Sequence, residues 1–187
     1  TFILIDIQQS FTINNALAGL LGTVTLFFRL LGGFGAGMMA DRYGRKLPLM
    51  LSILWFSIFA GLSGFSTSYA MLFACRALFG IGMGGEWAAG MPLAIEHWPA
   101  KFRGLVSGLL QGGFYWGYIA SALAFHYIYP YFASIPDPFS QELGSSIGWR
   151  VMFWIGVVPA LFVLWIRSGV AESPVWLARK RQLGKEG

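Results

Sequence analysis

Charge is what this sequence has least of. Only 11% of its 187 residues are Asp, Glu, Lys or Arg, against 56% hydrophobic, and the mean hydropathy is +0.62. A soluble domain of this size would expose far more charge, so that class is excluded. Cysteine is almost missing as well: Cys75 stands alone inside an apolar run, which rules out a disulfide framework or a thiolate metal site within the chain. The two histidines, His97 and His126, lie 29 residues apart. No metal-ligand cluster, nucleophile–base pair or phosphate-cradling loop stands out, so nothing supports an enzyme, a cofactor or a metal. There is no hydrophilic nucleotide-binding segment either, which leaves ATP-driven pumping without support. No signal peptide is expected at the start of the chain. The net charge of +5 does not point to nucleic acid, because the cations fall between hydrophobic segments and not on one amphipathic face.

What the sequence does have is apolar windows of roughly 20 residues, the length that crosses a bilayer as helix. They predict an all-α, polytopic membrane protein. Thr1 to Ile5 reads as the last turn of a truncated first helix, followed by a polar connector over Asp6 to Asn15. Ala16 to Ala40 is a second span broken only by Arg29, and Leu47 to Phe65 a third of 19 residues without a charge. Ser66 to Ser68 makes a tight turn. Tyr69 to Ile95 is a fourth span, Gly104 to Tyr129 a fifth and Trp149 to Ile166 a sixth, the last two separated by a proline-containing loop. Cations set the orientation. Arg42, Arg45, Lys46, Lys101, Arg103, Arg167, Arg179, Lys180, Arg181 and Lys185, ten of the thirteen, fall on one side. The loops at Asp41 and Glu96 and the C-terminal tail are therefore expected to be cytoplasmic.

The chain is organised around the stretch from Gly33 to Lys46. Glycines at 33, 35 and 37 would let a neighbouring backbone approach closely, and Gly44 would allow a sharp reversal. Asp41 falls where a helix C-terminus leaves carbonyls unpaired, a poor place for an anion unless Arg42, Arg45 or a partner helix neutralises it. Gly37, Ala40, Asp41, Arg42, Gly44, Arg45 and Lys46 resemble the loop signature between helices 2 and 3 of the major facilitator superfamily. Glu96, with Arg103 and Gly104 after it, resembles that family's E-x6-R-G element. Ala171 to Leu177 resembles the PESPRWL motif that follows helix 6 in sugar porters, with Ala171 and Val175 departing from it. The resemblance implies a helical bundle, here the N-terminal six-helix half with its first helix truncated. Residues 1–170 would be that bundle, and 171–187 a cytoplasmic tail or the start of the central loop. It also implies a conformational latch made from Gly37, Asp41, Arg42, Gly44, Arg45, Lys46, Glu96, Arg103 and Glu172. Single exposed ion pairs contribute only ~0–1 kcal/mol, so a network is needed to bias a two-state equilibrium.

Charged groups inside a membrane cost at least ~2.5–3.5 kcal/mol on insertion scales and normally face a cavity or a partner. Arg29, Arg76 and Glu86 are such groups. Ten residues of helix hold Arg76 and Glu86 about 15 Å apart, so they do not pair; Arg29 with Glu86 is the geometric alternative if spans two and four are neighbours. Arg76, Gly80, Gly84, Gly85 and Glu86 resemble the fourth helix of proton-linked organic-acid symporters, and Arg29 with Gly32 the second-helix arginine of that branch. Trp87 and the run from Glu96 to Pro99 are nearest to its sialate and monocarboxylate carriers. The implied substrate is a carboxylate moved with H⁺ as coupling ion. Arg29 or Arg76 would receive it. Burial favours the neutral form of a carboxyl group, which makes Glu86 the proton-site candidate. On the fifth span, Gly104, Gly108 and Gly112 form a packing stripe, while Gln111, Tyr115 and Tyr118 share one face that could hydrogen-bond a substrate.

The expected function is therefore secondary active transport by alternating access, as a proton–carboxylate symporter in the plasma (inner) membrane. Its partners would be the lipid bilayer, a small organic acid and the missing C-terminal half of the same chain. A sugar or metabolite facilitator of the same superfamily is the alternative, and a transport-inactive receptor or scaffold the rival from another class.

Overall fold

A computed structural model describes residues 3–139, 146–158 and 160–183. Thr1, Phe2, Lys185 and the end of the tail lie outside the described residues. The described chain is helical: α1 (Leu4–Phe11), α2 (Asn15–Tyr43), α3 (Lys46–Gly64), α4 (Tyr69–Glu96), a 3-10 turn (Ala100–Phe102), α5 (Arg103–Tyr127), α6 (Tyr129–Ala133), α7 (Gly148–Ile155), α8 (Ala160–Gly169) and α9 (Pro174–Leu183).

Local chemistry sets the helix limits. The Asn14 carboxamide accepts from Leu17 N at 2.9 Å and starts α2; the Ser68 hydroxyl accepts from Met71 N at 3.3 Å and starts α4. Both occupy the N-cap, where an orphan helix N–H needs an acceptor. Gly44 closes α2 at φ +101, ψ 164, a region open in practice to glycine alone. With 29 and 19 residues, α2 and α3 are the two described helices that are both long and apolar enough to cross a membrane. The charged and glycine-rich α4 is as long, with 28 residues, but its residues look inward.

Glycine makes α4 the centre of the bundle. Gly80 lies against the Thr25 carbonyl and Gly84 against that of Arg29, so one edge of α4 meets α2 backbone to backbone. Gly82 and Gly85 abut Phe56 and Ser52, bringing the other edge to α3. Added methyl groups would collide at all four, which is how a three-helix contact this close is held. Two apolar clusters cap the assembly. Ala40, Leu49, Ile53, Ala89, Leu93, Val163 and Ile166 pack at the cation-rich end. Ile7, Leu21, Leu72 and Trp149 pack at the other.

Three expectations change. The polar connector after Ile5 is helix as far as Phe11, because Ile7 is core, Ser10 accepts from Trp149 Nε1 at 3.0 Å and Asp6 accepts from the Tyr129 hydroxyl at 2.5 Å. The sixth span is two helices, α7 and α8, with turns after Ile155 around Gly156. The glycine stripes are also reassigned. Close approach to α4 comes from Gly32 and Gly33, whereas Gly35, Gly37 and the α5 glycines 104, 108 and 112 have nothing within 4 Å of a would-be Cβ.

Candidate functional site

At the cation-rich end three segments meet on two carboxylates. Gly44 turns the chain so that the first N–H groups of α3 point at Glu172. Arg45 N donates to its Oε1 at 2.9 Å, and Lys46 N donates to both oxygens at 3.2 Å. Ser173 N adds a third donor at 2.9 Å. An anion at a helix N-terminus is stabilised by these unsatisfied N–H groups and by the helix dipole. A Cβ on Gly44 would strike the Glu172 carboxyl group, so glycine is needed there for space as well as for its φ. The second carboxylate, Glu96 at the end of α4, accepts from Arg45 Nε at 3.0 Å and from the Ser173 hydroxyl. That hydroxyl also accepts from Trp176 N at 3.1 Å, capping α9.

Asp41 sits at the rim. Its carboxylate is 4.0 Å from Arg45 with 67% of the side chain exposed, and its carbonyl accepts from Trp176 Nε1 at 3.1 Å. Lys46 Nζ donates to the Val170 carbonyl at 2.7 Å. The structure thus joins Asp41, Gly44, Arg45, Lys46, Glu96 and Glu172. It leaves three latch candidates outside. Arg42 turns its guanidinium over the Tyr43 ring at 5.4 Å, Arg103 donates to the Trp98 carbonyl at 3.3 Å, and a Cβ on Gly37 would meet nothing within 4 Å. Ser173 and Trp176 belong to the network although only Glu172 of their motif was singled out; both were visible in the Ala171 to Leu177 stretch.

The charges along the helices are placed differently from one another. Arg29 lies over the Trp87 ring at 5.4 Å, so α2 and α4 are neighbours as an Arg29–Glu86 pair requires, yet Arg29 and Glu86 form no ion pair within 4.0 Å. Glu86 borders a cavity of about 270 Å³ with Leu49, Ile53, Leu110 and Ile166. Arg76 lines another of about 280 Å³, together with Ile7 of α1, Leu21 and Gly22 of α2, Leu72 of α4 and Phe153 of α7. Its guanidinium stands 4.6 Å from the Phe79 ring centre and 5.3 Å from that of Phe153. Among the described residues, no carboxylate pairs with it. Gln111, Tyr115 and Tyr118 do follow one another on α5, but they are exposed and none lines the Arg76 cavity.

One site escaped the sequence reading. At the end opposite the cations, Arg150 is fully buried. Its Nε donates to Asp137 at 2.7 Å, and its Nη1 to the Gly64 and Ser66 carbonyls at 3.0 and 2.5 Å. The guanidinium also stacks 4.2 Å from the Trp149 ring centre. This arginine ties the α3–α4 turn to the segment before α7. The available signal was an acid between Pro136 and Pro138, in a loop leading to Arg150.

Residues 1–184 match the profile of the Major Facilitator Superfamily. The chain belongs to that superfamily, and it is an integral membrane protein. A probable 4-methylmuconolactone transporter of Cupriavidus pinatubonensis is 40% identical over 97% of this chain and 40% of its own length. The sialic acid transporter NanX of Escherichia coli is 39% identical over 96% of this chain and 40% of its own. Among solved structures, the xylose transporter XylE from E. coli, in a partially occluded inward-open conformation, superposes with TM-score 0.79 at 21% identity; it covers 96% of this chain and 46% of that one. That likeness concerns the fold. The superfamily chain described here spans about 40% of the length of the curated relatives it matches.

Proposed function

We propose that this chain is the N-terminal half of a secondary carrier that moves a carboxylate together with H⁺ by alternating access. Residues 1–170 form the bundle, 171–187 begin the central loop, and the Asp41, Glu96 and tail segments face the cytoplasm across an inner membrane. Arg76 carries this reading. It is a cation on the wall of a cavity, with its charge met by aromatic faces in place of a carboxylate, and it is therefore available to an anionic substrate. A relative named as a sialic acid transporter fits an organic acid. Glu86, at its own cavity, is the proton carrier, and Arg29 a second cation near it. Gln111, Tyr115 and Tyr118 would reach substrate from α5 once the rest of the carrier closes on that exposed helix, whose glycines 104, 108 and 112 are open to it. The network on Glu172 and Glu96 is the latch.

A neutral-solute facilitator is the second reading, favoured by the engagement of Glu172, Ser173 and Trp176, the positions that resemble the sugar-porter tail. The test uses the full-length carrier in proteoliposomes with external pH recorded while sialate, lactate, pyruvate and a neutral sugar are offered. Alkalinisation with an acid but not with the sugar, weakened affinity in Arg76→Ala and loss of the pH signal in Glu86→Gln are expected. Sugar counterflow without a pH change would replace the reading with a facilitator, and absence of any counterflow would leave a receptor or scaffold.

A further inference from the structure

Two features lie along α2 beside the transport machinery, the second sharing Asp41 and Trp176 with the network on Glu172. The first is an apolar groove of about 390 Å³ between α2 and α3. Leu31, Gly35 and Met39 form one wall, Leu51 and Trp55 the other, and Gly82 of α4 the floor. A Cβ on Gly35 would meet nothing within 4 Å, so the groove is open along that residue. The Trp55 ring is fixed by donating Nε1 to the Leu78 carbonyl at 2.9 Å. The second is a recess of about 150 Å³ lined by Asp41, Arg42, Trp176, Arg179 and Lys180, three cations against one acid.

The helix period joins the two. Leu31, Gly35, Met39 and Arg42 fall at i, i+4, i+8 and i+11, one face of α2. From Leu31 to Met39 the groove runs about 12 Å along the axis, and Arg42 follows about 4.5 Å further on. One leaflet of hydrocarbon is about 15 Å deep. The groove therefore begins near the bilayer centre and ends at a cationic recess at headgroup level. Both walls come from the two helices apolar enough to cross the membrane.

We propose that this groove and recess hold one anionic phospholipid, its acyl chain between α2 and α3 and its phosphodiester on Arg42, Arg179 and Lys180. The lipid bridges α2 to α9, and so braces the segment that carries Glu172. An anionic headgroup is chosen by the charge of the recess; the membrane is chosen as source by the groove's depth and apolar walls.

Thermal unfolding of the full-length carrier in neutral detergent tests this. Phosphatidylglycerol should raise the melting temperature by several degrees, and phosphatidylcholine with the same chains or sodium phosphate should not. Gly35→Phe fills the groove, and Arg42→Gln combined with Lys180→Gln removes headgroup cations; each should abolish the shift. Gly35→Leu serves as the filler if the phenylalanine variant does not fold. An equal rise with phosphatidylcholine, a rise with phosphate alone, or a retained shift in either variant overturns the proposal. So does a concentration-dependent dimer that Gly35→Phe disperses, which would assign the groove to a second copy.

Discussion

The two ends of the bundle are tied by the same chemistry in opposite settings. At one end Arg150 and Asp137 keep 1% and 0% of their side chains exposed, and the Nη1 group of Arg150 donates to two carbonyls. At the other, Arg45 and Glu96 keep 21% and 16% exposed, and Asp41 keeps 67%. A buried charge that loses its partner costs about 3–5 kcal/mol, whereas an exposed partner such as Asp41 changes stability by ~0–1 kcal/mol. The first arrangement is a permanent fastening. Under the proposed latch, the second is the one made and broken within a transport cycle, because its groups reach water when they separate. Backbone N–H groups on Glu172 give it direction without making it permanent.

This contrast can be broken in graded steps. Asp137→Ala should be the most damaging change, leaving Arg150 buried without a counter-charge and lowering stability by about 3–5 kcal/mol in thermal unfolding of the detergent-purified carrier. A loss under 1 kcal/mol would mean that the two carbonyls and the Trp149 ring suffice. Gly44→Ala comes next. The backbone conformation alone costs roughly 1–3 kcal/mol, and the methyl displaces Glu172, so uptake should fall more steeply than folded yield. Equal falls would make Gly44 a folding residue only. Asp41→Asn should be mildest, within ~0–1 kcal/mol in stability, with a change in initial uptake rate at unaltered expression. Unchanged rates would remove Asp41 from the latch.

The long apolar helices and the reversal at Gly44 were legible in the sequence because length and glycine are local signals, whereas the carboxylates of Glu96 and Glu172 were legible only through the resemblance of their stretches to family motifs. It did not show which glycines meet which helix. Gly32 and Gly33, not Gly35 and Gly37, touch α4, since periodicity defines a face but not its neighbour. Asp6 looked like loop because its partner, the Tyr129 hydroxyl, is 123 residues away. The Arg150 fastening was hidden for the same reason. Its acid and its carbonyls come from two other segments, around Asp137 and from Gly64 to Ser66, and only the fold brings them to Arg150. Arg42 and Arg103 carried the family pattern, yet the network forms without them, because Arg42 turns to Tyr43 and Arg103 to the Trp98 carbonyl.

Amide hydrogen exchange on the full-length carrier tests the comparison most directly, because the Arg45, Lys46 and Ser173 N–H groups donate to Glu172 itself. Exchange at these three amides should quicken when substrate drives turnover and quicken further in Glu172→Gln, while the amides around Ser66 and Arg150 keep their protection throughout. Equal protection of both ends during turnover, or slow exchange at Arg45 and Lys46 in the Glu172 variant, would contradict a latch that opens against a fastening that does not.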